Sequence, residues 1–232
     1  MTIQNSKTII SYNGGSAGDL FVLSCNNIPL TGLRNCRVVQ DATLKDYELR
    51  TKMGEQLSLG EFLSELPYNF VNTHLLDEII DMGFDVYNIV MTDSTIQLKT
   101  IYRQMQIQKL RIKVGTDEWY TTIKNHSLSG NFIAAAEHWF QKAEYLWIER
   151  MQYRLNFEKA KKINFDFLYT EGFVDSLKSQ GWTHNLDLLK SNHERWLVEN
   201  QDFTYEKTIN IMADKLSTMN WNQTDGWAEY TP

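Results

Sequence analysis

The sequence predicts an α/β protein: a parallel β-sheet flanked by helices, with a mainly helical C-terminal half. Three observations predict it. Short apolar runs alternate with helical patterns through the first half. A cluster of glycines and small residues follows directly on the first apolar run. From about residue 131 onward, apolar residues recur mostly at three- and four-residue steps.

Taken in order, Thr8–Tyr12 is the first expected strand and Cys36–Val39 the second, both short, apolar and bounded by polar residues. Leu57–Leu66 reads as a short helix ended by Pro67, because a residue before proline is pushed out of the helical region. Asn69–Thr73 and Val86–Met91 are the next strands, and Ile163–Phe167 the last. Runs of this kind suit a sheet covered on both faces. Between the fourth and last strands, a helix from about Thr95 to Ile112 puts Leu98, Ile101, Met105 and Ile112 on one face. Asn131 to about Lys161 repeats the pattern with Phe132, Ala136, Trp139, Ala143 and Trp147. Leu186, Leu189, His193 and Trp196 form a third stripe, and Tyr205, Ile209, Met212, Leu216 and Met219 a fourth. The final residues, "NWNQTDGWAEYTP", show no period and read as a tail.

A chain of 232 residues with three prolines, no low-complexity linker and no internal repeat reads as a single domain over 1–232. The net charge of −6 argues against sequence-blind nucleic-acid binding, while leaving room for a local basic pocket. No apolar stretch approaches the roughly 18 residues of a membrane span. The opening "MTIQNSK" lacks a signal-peptide pattern, so a cytoplasmic location is expected. Cys25 and Cys36 read as free thiols, with a disulfide as the alternative. His138, Glu137, Glu144 and Glu149 do not converge on one helical face, so no metal is expected there. His193 lies on an apolar stripe and is expected to make a structural hydrogen bond.

The chemistry is concentrated after the first strand, in "NGGSAGD". In a parallel sheet, ligands bind beyond the carboxyl ends of the strands. Glycines let the main chain curl so that N–H groups point inward, and the next helix adds the positive end of its dipole. Gly14, Gly15, Ser16, Ala17, Gly18 and Asp19 are therefore the expected anion cradle. The alternative is a plain strand–helix turn with Asp19 as helix N-cap. Asp19 follows Gly18 where a nucleotide-triphosphate loop places its lysine.

The segment "NFVNTHLLDEIIDMGFDVYNIVMTDSTIQLKTIYRQ" resembles the central part of the sulfotransferases. A strand ends in Thr73-His74-Leu75, a hydrophobic strand Asp85–Met91 follows, then a polar turn Thr92–Thr95 and a helix carrying Thr100 and Tyr102. The stretch with His193, Trp196, Leu197 and Asn200 resembles the late helices of small sulfotransferase-like proteins. The resemblance implies a P-loop-type fold and transfer of a sulfuryl group from 3′-phosphoadenosine 5′-phosphosulfate (PAPS) to a hydroxyl or amine. It implies His74 as catalytic base, residues 14–19 around the 5′-phosphosulfate, and Thr92 and Thr100 near the 3′-phosphate. The acceptor would be a small molecule or a glycan. Two features depart from the family: no lysine stands in Asn13–Leu20, and Thr92 replaces an arginine. A non-catalytic nucleotide- or partner-binding protein on the same fold is the alternative, followed by a nucleotide kinase. Oligomeric state is left open by the sequence.

Overall fold

The structure is a computed structural model that describes residues 7–30, 54, 58–74, 76–107, 111–113, 118–221 and 227–229. The expected strand Cys36–Val39 lies outside the described residues, as does Leu75. Six strands are present among the described residues: β1 (Thr8–Ser11), β2 (Phe70–Thr73), β3 (Asp85–Val90), β4 (Arg111–Lys113), β5 (Lys161–Asn164) and β6 (Trp227–Glu229). The helices are α1 (Gly18–Cys25), α2 (Leu59–Glu65), α3 (Ser94–Ile107), α4 (Glu118–Leu128), α5 (Phe132–Asn156), α6 (Phe173–Ser179), α7 (Leu186–Glu199) and α8 (Tyr205–Ser217). The expected class is what the structure has: a four-stranded all-parallel sheet, order β2-β1-β3-β5, flanked by helices and followed by a mainly helical half.

Register explains why the strands carry apolar residues on both sides. Ile9 pairs with Val71 and with Val86, and these three share one face with Phe62, Leu63, Ile79 and Ala160. Ile10 points to the other face, where Leu20 and Phe21 of α1 pack with Ile89, Ile163, Phe165 and Trp196. Both Ile9 and Ile10 are fully buried. α2 starts at a capping box: Ser58 accepts from the Glu61 N–H at 3.2 Å while Glu61 accepts from the Ser58 N–H at 2.8 Å. It stops before Pro67, with Leu66 already extended.

The chain packs as two compact units, Met1–Ile96 with Met151–Gln201, and Gln97–Arg150 with Asp202–Pro232. The parallel sheet belongs to the first. In the second, Phe140 of α5 packs against Tyr102 of α3 at 5.7 Å and Tyr205 of α8 at 5.1 Å between ring centres. Lys215 donates to the carbonyls of Gln106 and Met105, at 2.8 and 3.3 Å, satisfying the C-terminal end of α3.

Several boundaries differ from the sequence reading, among them the end of α5, at Asn156 rather than near Lys161. The last parallel strand is Lys161–Asn164 rather than Ile163–Phe167: Phe165 still donates to Val90 O at 2.9 Å, then the chain turns, and Phe167 is exposed. α3 ends at Ile107, and Arg111–Lys113 forms a strand instead of helix. Trp227–Glu229, expected in a tail without a period, pairs antiparallel with it. Three-residue strands are too short to show a period in sequence.

Phe21 is fully buried and meets Phe165 at 5.4 Å and Trp182 at 4.6 Å. Phe21→Ala is expected to cost about 3–5 kcal/mol in urea unfolding, as truncation of a packed aromatic leaves a cavity.

Candidate functional site

The strand order creates a topological switch point. From β1 the chain crosses to β2 on one side, and from β3 it goes on to β5 on the other. The crevice at a switch point lies at the carboxyl ends of the two diverging strands, here β1 and β3. Residues 13–19 occupy the β1 side of it.

That loop is a stitched turn. The Ser16 N–H donates to Asn13 O at 3.1 Å, and the Ser16 hydroxyl donates to the same carbonyl. Gly15, third residue of the turn, has φ +84°, the conformation a type II turn requires there. Ala17 follows in the left-handed region at φ 55° and is the N-cap of α1. Gly18 has a steric reason to lack a side chain: a Cβ there would stand 2.3 Å from the Tyr12 ring. Asp19 is not the N-cap that the alternative reading foresaw. It lies inside the first turn and accepts from the Tyr12 hydroxyl and from Asn72 Nδ2, the latter at 3.0 Å. Its buried carboxylate uses the positive end of α1.

His74 follows β2 and is exposed. Its ring lies 4.5 Å from the Tyr12 ring, and Nδ1 is 2.8 Å from Tyr12 O. A carbonyl only accepts, so Nδ1 carries the proton and Nε2 bears the lone pair of the neutral ring. The loop and His74 are thus brought together through Tyr12. Thr92 also lies at this edge, after β3, but its hydroxyl and its N–H (2.7 Å) both donate to Asp166. Asp93 N–H donates to the same carboxylate at 2.9 Å, while Asp93 Oδ1 caps α3 by accepting from Thr95 N at 2.7 Å. Thr100 is fully buried on α3 and belongs to the second compact unit.

Burial pushes the Asp166 carboxyl upward, but hydrogen bonds from the Asp93 N–H, the Thr92 hydroxyl, Asn164 and the Thr92 N–H outweigh it. The group is held below the usual carboxylate range. Burial pushes the Cys25 thiol well above its ordinary value, and that thiol is free. His193 is buried with Nε2 2.7 Å from Leu168 O, the structural bond expected of it. Burial holds its pKa below the ordinary histidine value.

Sequence reasoning missed two residues that line the crevice. A cavity of about 10 Å³, room for one oxygen-sized group, is bounded by Asn13, Ser16, Ile89, Val90, Met91, Met151 and Arg154. Arg154 reaches it from α5, donating to Ser11 Oγ at 2.9 Å, Asn88 Oδ1 at 3.0 Å and His74 O at 2.8 Å. The available signal was its position: counting on from Ala143 and Trp147, Arg154 continues the apolar stripe of α5.

Among the described residues, no group of three or more His, Cys, Asp or Glu side chains has the arrangement of a metal site, and no helix is long and apolar enough to cross a membrane. Fold and crevice define an α/β protein with a four-stranded parallel sheet and a glycine loop at its switch point. Comparison with known proteins adds no relative: no family model, curated protein or solved structure matches the chain significantly.

Two outcomes follow from this geometry. Gly18→Ala is expected to lose about 1–3 kcal/mol in denaturant unfolding, because the Tyr12 ring has to shift. The Asp166 contribution is complete above the unfolded-state carboxylate value, about 3.9, and lost as pH falls through the lower folded value. Thermal unfolding across pH 2–6 should therefore show a shallower acid slope in Asp166→Asn than in the unsubstituted protein.

Proposed function

We propose that the chain is a sulfotransferase-like protein that moves a sulfuryl group from PAPS to a hydroxyl or amine of a small molecule or glycan. The observation that carries the reading is His74 beside a glycine loop at the β1–β3 switch point, its tautomer set by Tyr12 O. In this reading Nε2 takes the proton of the acceptor as the acceptor's oxygen or nitrogen bonds to sulfur. The bond between sulfur and the bridging oxygen of the donor breaks, and 3′,5′-bisphosphoadenosine leaves. Residues 14–19 border the phosphosulfate. Such a displacement spreads charge over the equatorial and leaving oxygens, so catalysis depends on positioned donors and a base.

The 3′-phosphate end fits less well. Thr92 spends both its donors on Asp166, and Asp93 adds a second carboxylate, so a phosphate there meets like charge unless that contact opens. This observation favours a second reading, a non-catalytic protein that binds an anionic small molecule at the same crevice.

Calorimetry with 3′,5′-bisphosphoadenosine, followed by sulfuryl-transfer assays over hydroxyl and amine acceptors, separates the two. Transfer is expected to fall about 10²–10⁴-fold in His74→Ala, the range of a lost general base, with nucleotide binding kept. Binding without transfer to any acceptor would support the second reading. A folded protein that gives no heat with the nucleotide overturns the first.

A further inference from the structure

We infer that Arg154 and Asn13 form an oxyanion subsite that takes one terminal oxygen of a sulfuryl or phosphoryl group between β1 and β3. The site stands on its own geometry; it rests on the reading above only for the identity of the molecule that carries the group.

Asn13 points to a ligand most directly. The residue is 7% exposed, lines the cavity, and holds an Nδ2 donor with no hydrogen-bond partner among the described residues. A buried amide left unpaired is destabilising, so it marks a place where an acceptor belongs. Arg154, 6% exposed, adds a positive charge whose position is fixed in part by donation to Ser11, Asn88 and His74 O. An unpaired donor and a fixed guanidinium on one small cavity select an acceptor atom carrying negative charge. Size narrows it further: about 10 Å³ admits one oxygen, with the rest of the group outside. The other walls are Ile89, Val90, Met91 and Met151, whose low polarity strengthens a charge–charge contact and whose methionines adapt in shape. Ser16 does not compete as a donor, because its hydroxyl is turned to Asn13 O.

The assignment gives a loop without lysine a source of positive charge. The cation comes from α5, a helix more than a hundred residues further along the chain, so no loop motif announces it.

The test uses the full chain and three probes: inorganic sulfate, inorganic phosphate, and sodium chloride at matched ionic strength. Calorimetry and thermal unfolding are expected to show saturable binding of sulfate or phosphate and a rise in melting temperature that chloride does not reproduce. Asn13→Leu, which removes the unpaired amide, should be at least as heat-stable in chloride and bind the anion about tenfold more weakly or worse. Arg154→Met should lose the anion response; if it fails to fold, Asn13→Leu decides alone. Equal stabilisation by chloride, or unchanged anion affinity in Asn13→Leu, overturns the subsite. Titration with 3′,5′-bisphosphoadenosine distinguishes the two proposals. An anion response that depends on Asn13, with no nucleotide binding, supports this site and overturns the transfer reading. Nucleotide binding with an anion affinity indifferent to Asn13→Leu overturns this site alone.

Discussion

The guanidinium of Arg154 is the contact on which the carboxyl edge of the sheet depends. It is almost completely buried, and it reaches the last residue of β1, the fourth residue of the six in β3, and the carbonyl that follows β2. Asn88 returns a bond to Arg154 O at 2.7 Å, so side chain and backbone of the helix are both tied to the sheet. Burying such a charge is costly unless its donors are met. Groups on β1 and β3 and the carbonyl after β2 supply such partners, so the helix is anchored across all three strands.

A second polar network sets the opposite wall. Tyr12 lays its ring over Gly18 and gives its hydroxyl to Asp19, while Asn72 of β2 donates to both Asp19 and the Tyr12 hydroxyl, at 3.0 and 3.2 Å. The backbone of Tyr12 meanwhile fixes the ring of His74. One aromatic residue thus couples the start of α1, the interior of β2 and the candidate base. The glycine at 18 is a steric consequence of that ring rather than a requirement of an anion, a distinction that the loop's sequence alone does not make.

The fold was largely legible because β1, β2 and β3 are buried on both faces, which writes them as continuous apolar runs, and because the long helices carry clear stripes. Boundaries slipped where apolar residues serve the core from outside an element. Phe165 is fully buried but sits just past the end of β5, so the run looked longer than the strand. The site was only half legible. Glycines at 14, 15 and 18 signalled a tight turn, and His74 stood at a strand end, both local features. Asn13, Asp166 and Arg154 act across 74 to 143 residues of chain or through a missing partner, and separations of that size leave no trace in spacing. Arg154 alone had a local hint, as a charge on an apolar stripe.

A cation supplied from a helix behaves differently from one supplied by the loop itself. A lysine on a loop moves with the phosphate it grips and trades strong solvation for reach. Arg154 donates to Ser11, Asn88 and His74 O, so the position of its guanidinium is set by the sheet rather than by the loop. The same rigidity limits what it can follow: a group that migrates during reaction leaves a fixed fork behind. Asp19 and Asp166 sharpen the constraint, since each places a carboxylate at this edge of the sheet, beside the loop and beside Thr92. The guanidinium of Arg154 lies at the cavity between β1 and β3, away from both of these carboxylate networks. For the subsite inferred above, that setting favours a single well-placed oxygen over a large polyanion, because a second phosphate brought to Thr92 would meet the carboxylates of Asp166 and Asp93.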